Sequence, residues 1–222
     1  MNYIGSKLSL IPFIRAAVED CVGIDLSDRV FCDLFAGTGV VGRSFKSRVR
    51  KVISNDWEYY SYVLNRNYIG NNIALDSQDE LVRELNEMAG VEGGFIFQNY
   101  CYGSGSGRQY FSDENGKKID AIRIQIERWK NNDYISEDMY FFLLATLLES
   151  ADKLANTASV YGAFLKHLKA VAQKSLILEP AYFSTNSNKH EVYCEDANML
   201  IKDIQGDILY LDPPYNPRQY GA

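Results

Sequence analysis

The sequence predicts an α/β fold, a Rossmann-like doubly wound sheet with a mostly helical insertion. Three observations carry that reading: two strand–turn–helix units in series near the N-terminus, a glycine turn between the first strand and its helix, and strand-like segments that resume only after a long helical stretch. Residues 8–22, LSLIPFIRAAVEDCV, place apolar side chains at helical spacing after a Gly5-Ser6 turn. Val30-Phe31-Cys32-Asp33-Leu34-Phe35 is a short β-prone run that stops at Ala36-Gly37-Thr38-Gly39, and a helical stretch follows through Phe45. Lys51 to Asp56 reads as a second strand ending in an acid, with a helix from Trp57 to Tyr68.

The pattern then changes. Residues 75–89 read as helix, and Gly90 to Gly116 is rich in glycine, aromatic and polar residues. Helices are expected at Lys117 to Lys130, Glu137 to Leu154 and Gly162 to Ala172. Strand-like segments return at Glu191 to Cys194 and Asp207 to Leu211. The expected organisation is therefore a sheet domain from residues 1–70 and 181–222, interrupted by a helical insertion at 71–180.

Composition narrows the class. At 222 residues and 46% hydrophobic content, the chain suffices for one α/β domain with an insertion. No apolar run approaches the ~18 residues of a membrane span. The N-terminus lacks the basic head and small-residue cleavage site of a signal peptide, so a cytoplasmic location and no membrane partner are expected. Cys21, Cys32, Cys101 and Cys194 contain no CxxC pair, and His167 and His190 lie far from a ligand spacing, so no metal site is expected. A net charge of -6 argues against nonspecific coating of nucleic acid. Two runs free of acids, Arg43-Lys46-Arg48-Arg50-Lys51 and Lys153-Lys166-Lys169-Lys174, read either as solvated helix faces or as local patches for a phosphate backbone.

The stretch Gly37-Thr38-Gly39-Val40-Val41-Gly42 fits GxGxxG between a strand and a helix, and Asp56 closes the next strand. Such glycines let a ligand approach the backbone, and the acid can accept hydrogen bonds from ribose hydroxyls. Alone, this fits a nicotinamide enzyme, a methyltransferase or a tight turn. Asp212-Pro213-Pro214-Tyr215 discriminates, because it follows the apolar strand Ile208-Leu209-Tyr210-Leu211 and so sits where doubly wound sheets bind ligands. A carboxylate beside a proline-stiffened turn offers two fixed acceptors, the Asp212 side chain and the Pro213 carbonyl, for one exocyclic amine, and an aromatic ring nearby can stack a base. The plain structural alternative is a proline loop after a buried strand. Asp56, Asp196 and Asp212 each follow a predicted strand, and a carboxylate-lined edge suits a cationic sulfonium ligand.

Together these segments resemble the adenine-N6 DNA methyltransferases of the Dam-like, D12 class. The resemblance covers essentially the whole chain through Asn2-Tyr3-Ile4-Gly5-Ser6-Lys7, Asp33-Leu34-Phe35-Ala36-Gly37-Thr38-Gly39, Asn55-Asp56-Trp57-Glu58, Glu195-Asp196-Ala197 and Asp212-Pro213-Pro214-Tyr215. It implies the sheet of the S-adenosylmethionine-dependent methyltransferases, S-adenosyl-L-methionine as cofactor and double-stranded DNA as substrate. It further implies that Tyr3 packs on the cofactor and Lys7 reaches its methionine end. Asp33, Phe35, Ala36, Gly37, Thr38 and Gly39 would form its turn, while Asp56 takes the ribose and Asp196 the adenine amine. Asp212 would lie nearest the transferred methyl and, with Pro213, Pro214 and Tyr215, carry catalysis on a flipped base. The insertion becomes the expected target-recognition domain, with Arg108, Lys117, Lys118, Arg123, Arg128 and Lys130 facing DNA or forming the solvated side of an apolar-faced helix.

The expected role is the modification component of a restriction-modification system, with a cognate restriction endonuclease or a C-terminal polypeptide as further partners. The alternatives are an RNA adenine methyltransferase or an inactive fragment that binds DNA or cofactor. A sheet of this family continues past Tyr215, so the chain is expected to lack its C-terminal part, to bind cofactor weakly and to self-associate or need a second polypeptide.

Overall fold

The computed structural model describes residues 7–157, 165 and 167–214. These form two compact units, one of residues 75–181 and one of residues 7–74 with 182–214.

The second unit is built on four strands, β1 (Val30–Asp33), β2 (Lys51–Asn55), β3 (Glu191–Tyr193) and β4 (Ile208–Tyr210). All pairings are parallel, in the order β3-β2-β1-β4. Helices α1 (Ile11–Val22), α2 (Val40–Phe45) and α3 (Tyr59–Asn65, continued by a π-turn at Arg66–Gly70) accompany the strands. One core cluster joins Phe31 and Val52 to Ile14 of α1, Val41 and Phe45 of α2, and Ile69. Another holds Val30, Cys32 and Ile53. Strands covered on both faces need continuous apolar runs rather than alternation, which is why β1 and β2 read as they do. The Phe31 and Phe45 rings stack at 4.3 Å, and burying each side chain is worth about 1.5–3 kcal/mol.

Two residues fix the register of β4 on β1. Asp207 accepts the Val30 amide through Oδ2 (2.7 Å) and donates its own amide to the Val30 carbonyl (3.0 Å). A side chain at Gly206 would force a shift of its surroundings, since a Cβ there would fall 2.3 Å from Cys32 Sγ. At the other edge, His190 Nδ1 accepts the Val52 amide (2.9 Å), and burial pulls its pKa down to about 4.

The run Arg43 to Lys51 divides: Arg43 and Arg50 are exposed, as a solvated face expects, whereas Lys46, Arg48 and Lys51 are engaged inside the unit. Lys46 is fully buried, donating to the carbonyls of Tyr68, Asn71 and Ser184 at 3.0, 2.5 and 2.7 Å. Arg48 pairs with Glu19 and Lys51 with Glu191, each at 2.5 Å. Arg43 lies 3.9 Å from the centre of the Tyr68 ring.

The unit of residues 75–181 contains α4 (Gln78–Glu87), α5 (Phe95–Tyr100), α6 (Asp113–Asn131) and α7 (Glu137–Leu154). Ser112 and Ser136 cap α6 and α7 by accepting the amides of Asn115 and Met139, and two acids follow each cap in the first turn. Ile119, Ile122, Ile126 and Trp129 are buried, as the apolar face of α6 requires. The return segment 174–181 has no strand partner among the described residues. Side chains satisfy its backbone instead: Asn115 serves Lys174 and Leu176, Asn86 serves both polar groups of Leu178, and Ser150 and Thr146 accept the amides of Glu179 and Ala181.

The helix expected over 162–172 is corrected in its described part. Residues 167–170 are not helical, and Val171–Gln173 is a single 3-10 turn. Residues 158–164 and 166 lie outside the described residues. Among the described residues no helix is long and apolar enough to cross a membrane.

Candidate active site

Because every pair in the sheet is parallel, all four carboxyl ends lie along one edge, and each leads into an aspartate. Asp33 is the last residue of β1, and Asp56, Asp196 and Asp212 follow β2, β3 and β4. The strand order runs outward from β1 through β2 to β3 and then returns to the other side of β1 for β4. The reversal lies between β1 and β4, where doubly wound sheets open a crevice for ligands. The glycine turn after β1 and Asp212-Pro213-Pro214 after β4 flank it.

The turn is held by side chains from its neighbours. Gly37 and Gly39 have φ of 53° and 74°, left-handed values that glycine adopts without strain. A Cβ on Gly39 would also fall 2.5 Å from Asn65 Oδ1. Buried Asn65 donates to the Gly37 carbonyl (3.0 Å) and accepts from Ser54 Oγ (2.7 Å). Asp56 accepts the Gly37 amide through Oδ2 (2.7 Å) and the Glu58 amide through Oδ1 (2.9 Å). Burial raises its pKa and these amides oppose the rise.

Asn55 has a role that the sequence reading did not assign. Its Nδ2 donates to the carbonyls of Leu34 (3.2 Å) and Glu195 (3.0 Å), while Oδ1 accepts the Glu195 amide (3.0 Å). One buried side chain thus ties together the ends of β1, β2 and β3. The available signal was a carboxamide closing a strand just before Asp56. Trp57, beside Asp56, is 69% exposed.

Asp33 is buried, and neither carboxylate oxygen has a hydrogen-bond partner among the described residues. Burial pushes its pKa up to about 7, with the Asp56 and Asp212 charges adding to the rise, while the nearby amides of Phe35 and Gly42 favour the anion without meeting hydrogen-bond geometry. Asp212 is ion-paired with Lys7 at 2.6 Å. Asp196 is exposed and caps the short helix Ala197–Leu200, accepting the Asn198 amide at 2.7 Å. Ala36 is buried, and Phe35 and Thr38 are half-buried beside Gly37. Asp196 and Asp212 follow opposite edge strands, three interstrand steps or roughly 14 Å apart, with Asp56 and Asp33 between them. Tyr3 and Tyr215 lie outside the described residues.

A carboxylate-lined edge at a topological switch point, with Asp-Pro-Pro on one side and a glycine turn on the other, agrees with a comparison of the whole sequence. The sequence model of the D12 class N6 adenine-specific DNA methyltransferases matches residues 3–222. The chain belongs to this family. It is 66% identical over 222 residues to the type II methyltransferase M.NlaIII of Neisseria lactamica, covering all of this chain and 66% of that protein. It is 40% identical to the type II methyltransferase M.FokI of Planomicrobium okeanokoites, covering 99% of this chain and 35% of that protein. With the type II methyltransferase M.CviAII of Paramecium bursaria Chlorella virus 1, identity is 39% over all of this chain and 66% of the relative. The chain therefore spans about two thirds or less of the length of these methyltransferases. No solved structure matches it.

Proposed function

We propose that this D12-class chain carries the cofactor-binding and catalytic centre of an enzyme that methylates the N6 amine of adenine in duplex DNA with S-adenosyl-L-methionine, in the cytoplasm, as the modification component of a restriction-modification system. The observation that supports this most is the pairing of Asp212-Pro213-Pro214 with the glycine turn across the β1/β4 switch point. The cofactor fits the edge chemically: the carboxyl of buried Asp33, whose oxygens have no hydrogen-bond partner among the described residues, would ionise more readily beside a cationic ligand. Asp56 and Asp196 offer further acceptors along an elongated crevice, and the exposed Trp57 indole offers a flat face for a purine.

When bound, S-adenosyl-L-methionine supplies an electrophilic methyl group on a cationic sulfur. Asp212 and the Pro213 carbonyl accept hydrogen bonds from the adenine amine, favouring a pyramidal nitrogen whose lone pair is free to attack. The positive charge that develops on nitrogen strengthens those bonds in the transition state. Lys7 pairs with Asp212 through Oδ2 at 2.6 Å. No covalent enzyme intermediate is required. The nearby thiols are poor nucleophiles, since burial raises Cys32 to about 11 and also raises Cys194. Residues 75–181 would read duplex DNA, the substrate shared with a cognate endonuclease.

Transfer of labelled methyl to defined duplexes, single strands and RNA, with the modified position mapped, tests the reading. Label on duplex adenine N6 is expected. In the active protein Asp212→Ala should lose about a hundredfold or more in turnover, with a smaller effect on cofactor affinity. Near-normal turnover in that variant would remove Asp212 from the mechanism.

A further inference from the structure

Residues 101–111 leave the helical unit and return to it as a closed excursion. Its base is fixed by a bridge between Cys101 and Phe111 and by the amides of Tyr110 and Phe111, both donating to the Tyr100 carbonyl (2.9 and 3.3 Å). Asn156 adds a bond from Nδ2 to the Gln109 carbonyl (2.9 Å) and one from its amide to the Tyr110 carbonyl (2.8 Å). The loop also holds itself. Ser104 and Ser106 both donate their hydroxyls to the Cys101 carbonyl, and each accepts the amide two residues on, from Ser106 and Arg108. Asp113 accepts the Gly103 amide at 2.9 Å.

The residues of the loop itself are small and open and carry no acid, the nearest carboxylate being that of Asp113 at Gly103. Gly105 and Gly107 have φ of 80° and 74°, with nothing near the position of a Cβ. Tyr102 is 67% exposed. Between Glu92 and Asp113 the sequence has no acidic residue, in a chain of net charge -6, and its single charge is Arg108. The exposed Arg108 guanidinium lies 5.4 Å from the centre of the Tyr100 ring, a contact that orders the side chain while leaving its donors outward. Three other basic residues of this unit are already engaged: Lys117 with Glu92, Arg123 with Glu127, and Lys118 with the Asn86 carbonyl.

We infer that the loop of residues 102–109 is a preformed docking element for a DNA phosphate, with Arg108 as its charged contact and the Gly-Ser backbone admitting the sugar–phosphate chain. This rests on the reading of the chain as a duplex-DNA methyltransferase. A planar guanidinium on a stiff aromatic support matches a phosphate bidentately, and small residues around it remove the steric barrier to the strand. Contacts of this kind set affinity and orientation, not sequence.

Duplex binding by the 222-residue chain, followed by fluorescence anisotropy over a salt series on two duplexes of unrelated sequence, tests the inference. Arg108→Ala should weaken binding to both duplexes and make the slope of log affinity against log salt shallower by about 1. Arg108→Lys should keep the slope, and Lys117→Ala, already neutralised by Glu92, should leave it unchanged. A wild-type slope in Arg108→Ala, or a loss confined to one duplex, would overturn the phosphate role and leave the methyltransferase reading intact. Failure of the wild-type chain to bind either duplex would overturn the DNA-reading role of residues 75–181 and this inference with it.

Discussion

Asp33 is buried away from water, and the nearby amides of Phe35 and Gly42 do not meet hydrogen-bond geometry to it, an arrangement that costs the folded state whenever the group ionises. Its pKa is raised from 3.8 to about 7 by burial. Below about pH 4 both folded and unfolded chains are protonated there and no penalty arises. Between about 4 and 7 the unfolded chain releases its proton more readily, so stability falls, and above 7 the loss levels at something on the order of 4 kcal/mol. Asp33→Asn should abolish that component, gaining stability over the parent chain at pH 8 and little at pH 4. Urea denaturation at the two pH values measures it, and an equal effect at both would show that Asp33 ionises freely. The position of Asp33 at a strand end was legible from the apolar run before it. Its isolation was not, because spacing along a chain does not report which donors face a side chain. The same holds for Asn55, whose three bonds reach residues 21 and 140 positions away.

Elements whose character lies in periodicity were the most legible. Strands β1 to β4 and helix α7 stand where their apolar patterns put them, with ends differing by a residue or two, as at Leu34 and Phe35, which leave β1 to begin the glycine turn. The basic run from Arg43 to Lys51 does not form one face, because adjacency in sequence is not adjacency on a face: Arg43 and Arg50 are exposed while Lys46 is buried. Gly42, Phe45 and Val49 are buried on one side of α2 and its extension, and Lys46, four residues after Gly42, shares that side. Burial lowers the Lys46 pKa to about 8, so at neutral pH it remains mostly an ammonium ion serving three carbonyls. Lys46→Met keeps the length and leaves those carbonyls without their donor, at about 1–3 kcal/mol for each that water cannot reach. A loss of roughly 3 kcal/mol or more, read as a lower denaturant midpoint at unchanged slope, is expected. A variant as stable as the parent would show that the carbonyls find other donors.

On the scale of the whole chain, the change of pattern after the second βα unit and the return of strand-like segments near residue 190 announced an interruption of the sheet. How it is joined was not legible, since the joint depends on backbone carbonyls that any sequence supplies. Lys46 receives Asn71 from the outgoing connection and Ser184 from the returning one, and the Asn186 amide donates to the Asn72 carbonyl at 3.1 Å. The two connections thus run side by side, and the sheet unit closes its own backbone around them. Within residues 75–181, in turn, the bonds from Asn86, Asn115, Ser150, Thr146 and Asn156 that fix the return segment and loops have both partners inside the unit. Units whose polar groups are satisfied internally and which carry their own buried apolar residues meet the conditions for independent folding. Residues 75–181 expressed alone should therefore give a strongly helical circular dichroism spectrum and one cooperative thermal transition. Thr146→Val and Asn86→Ala in that fragment should each lower the transition, because each removes the partner of a return-segment amide. A spectrum without helix, or a melt without cooperativity, would mean that the helical unit owes its fold to the sheet unit rather than to its own core.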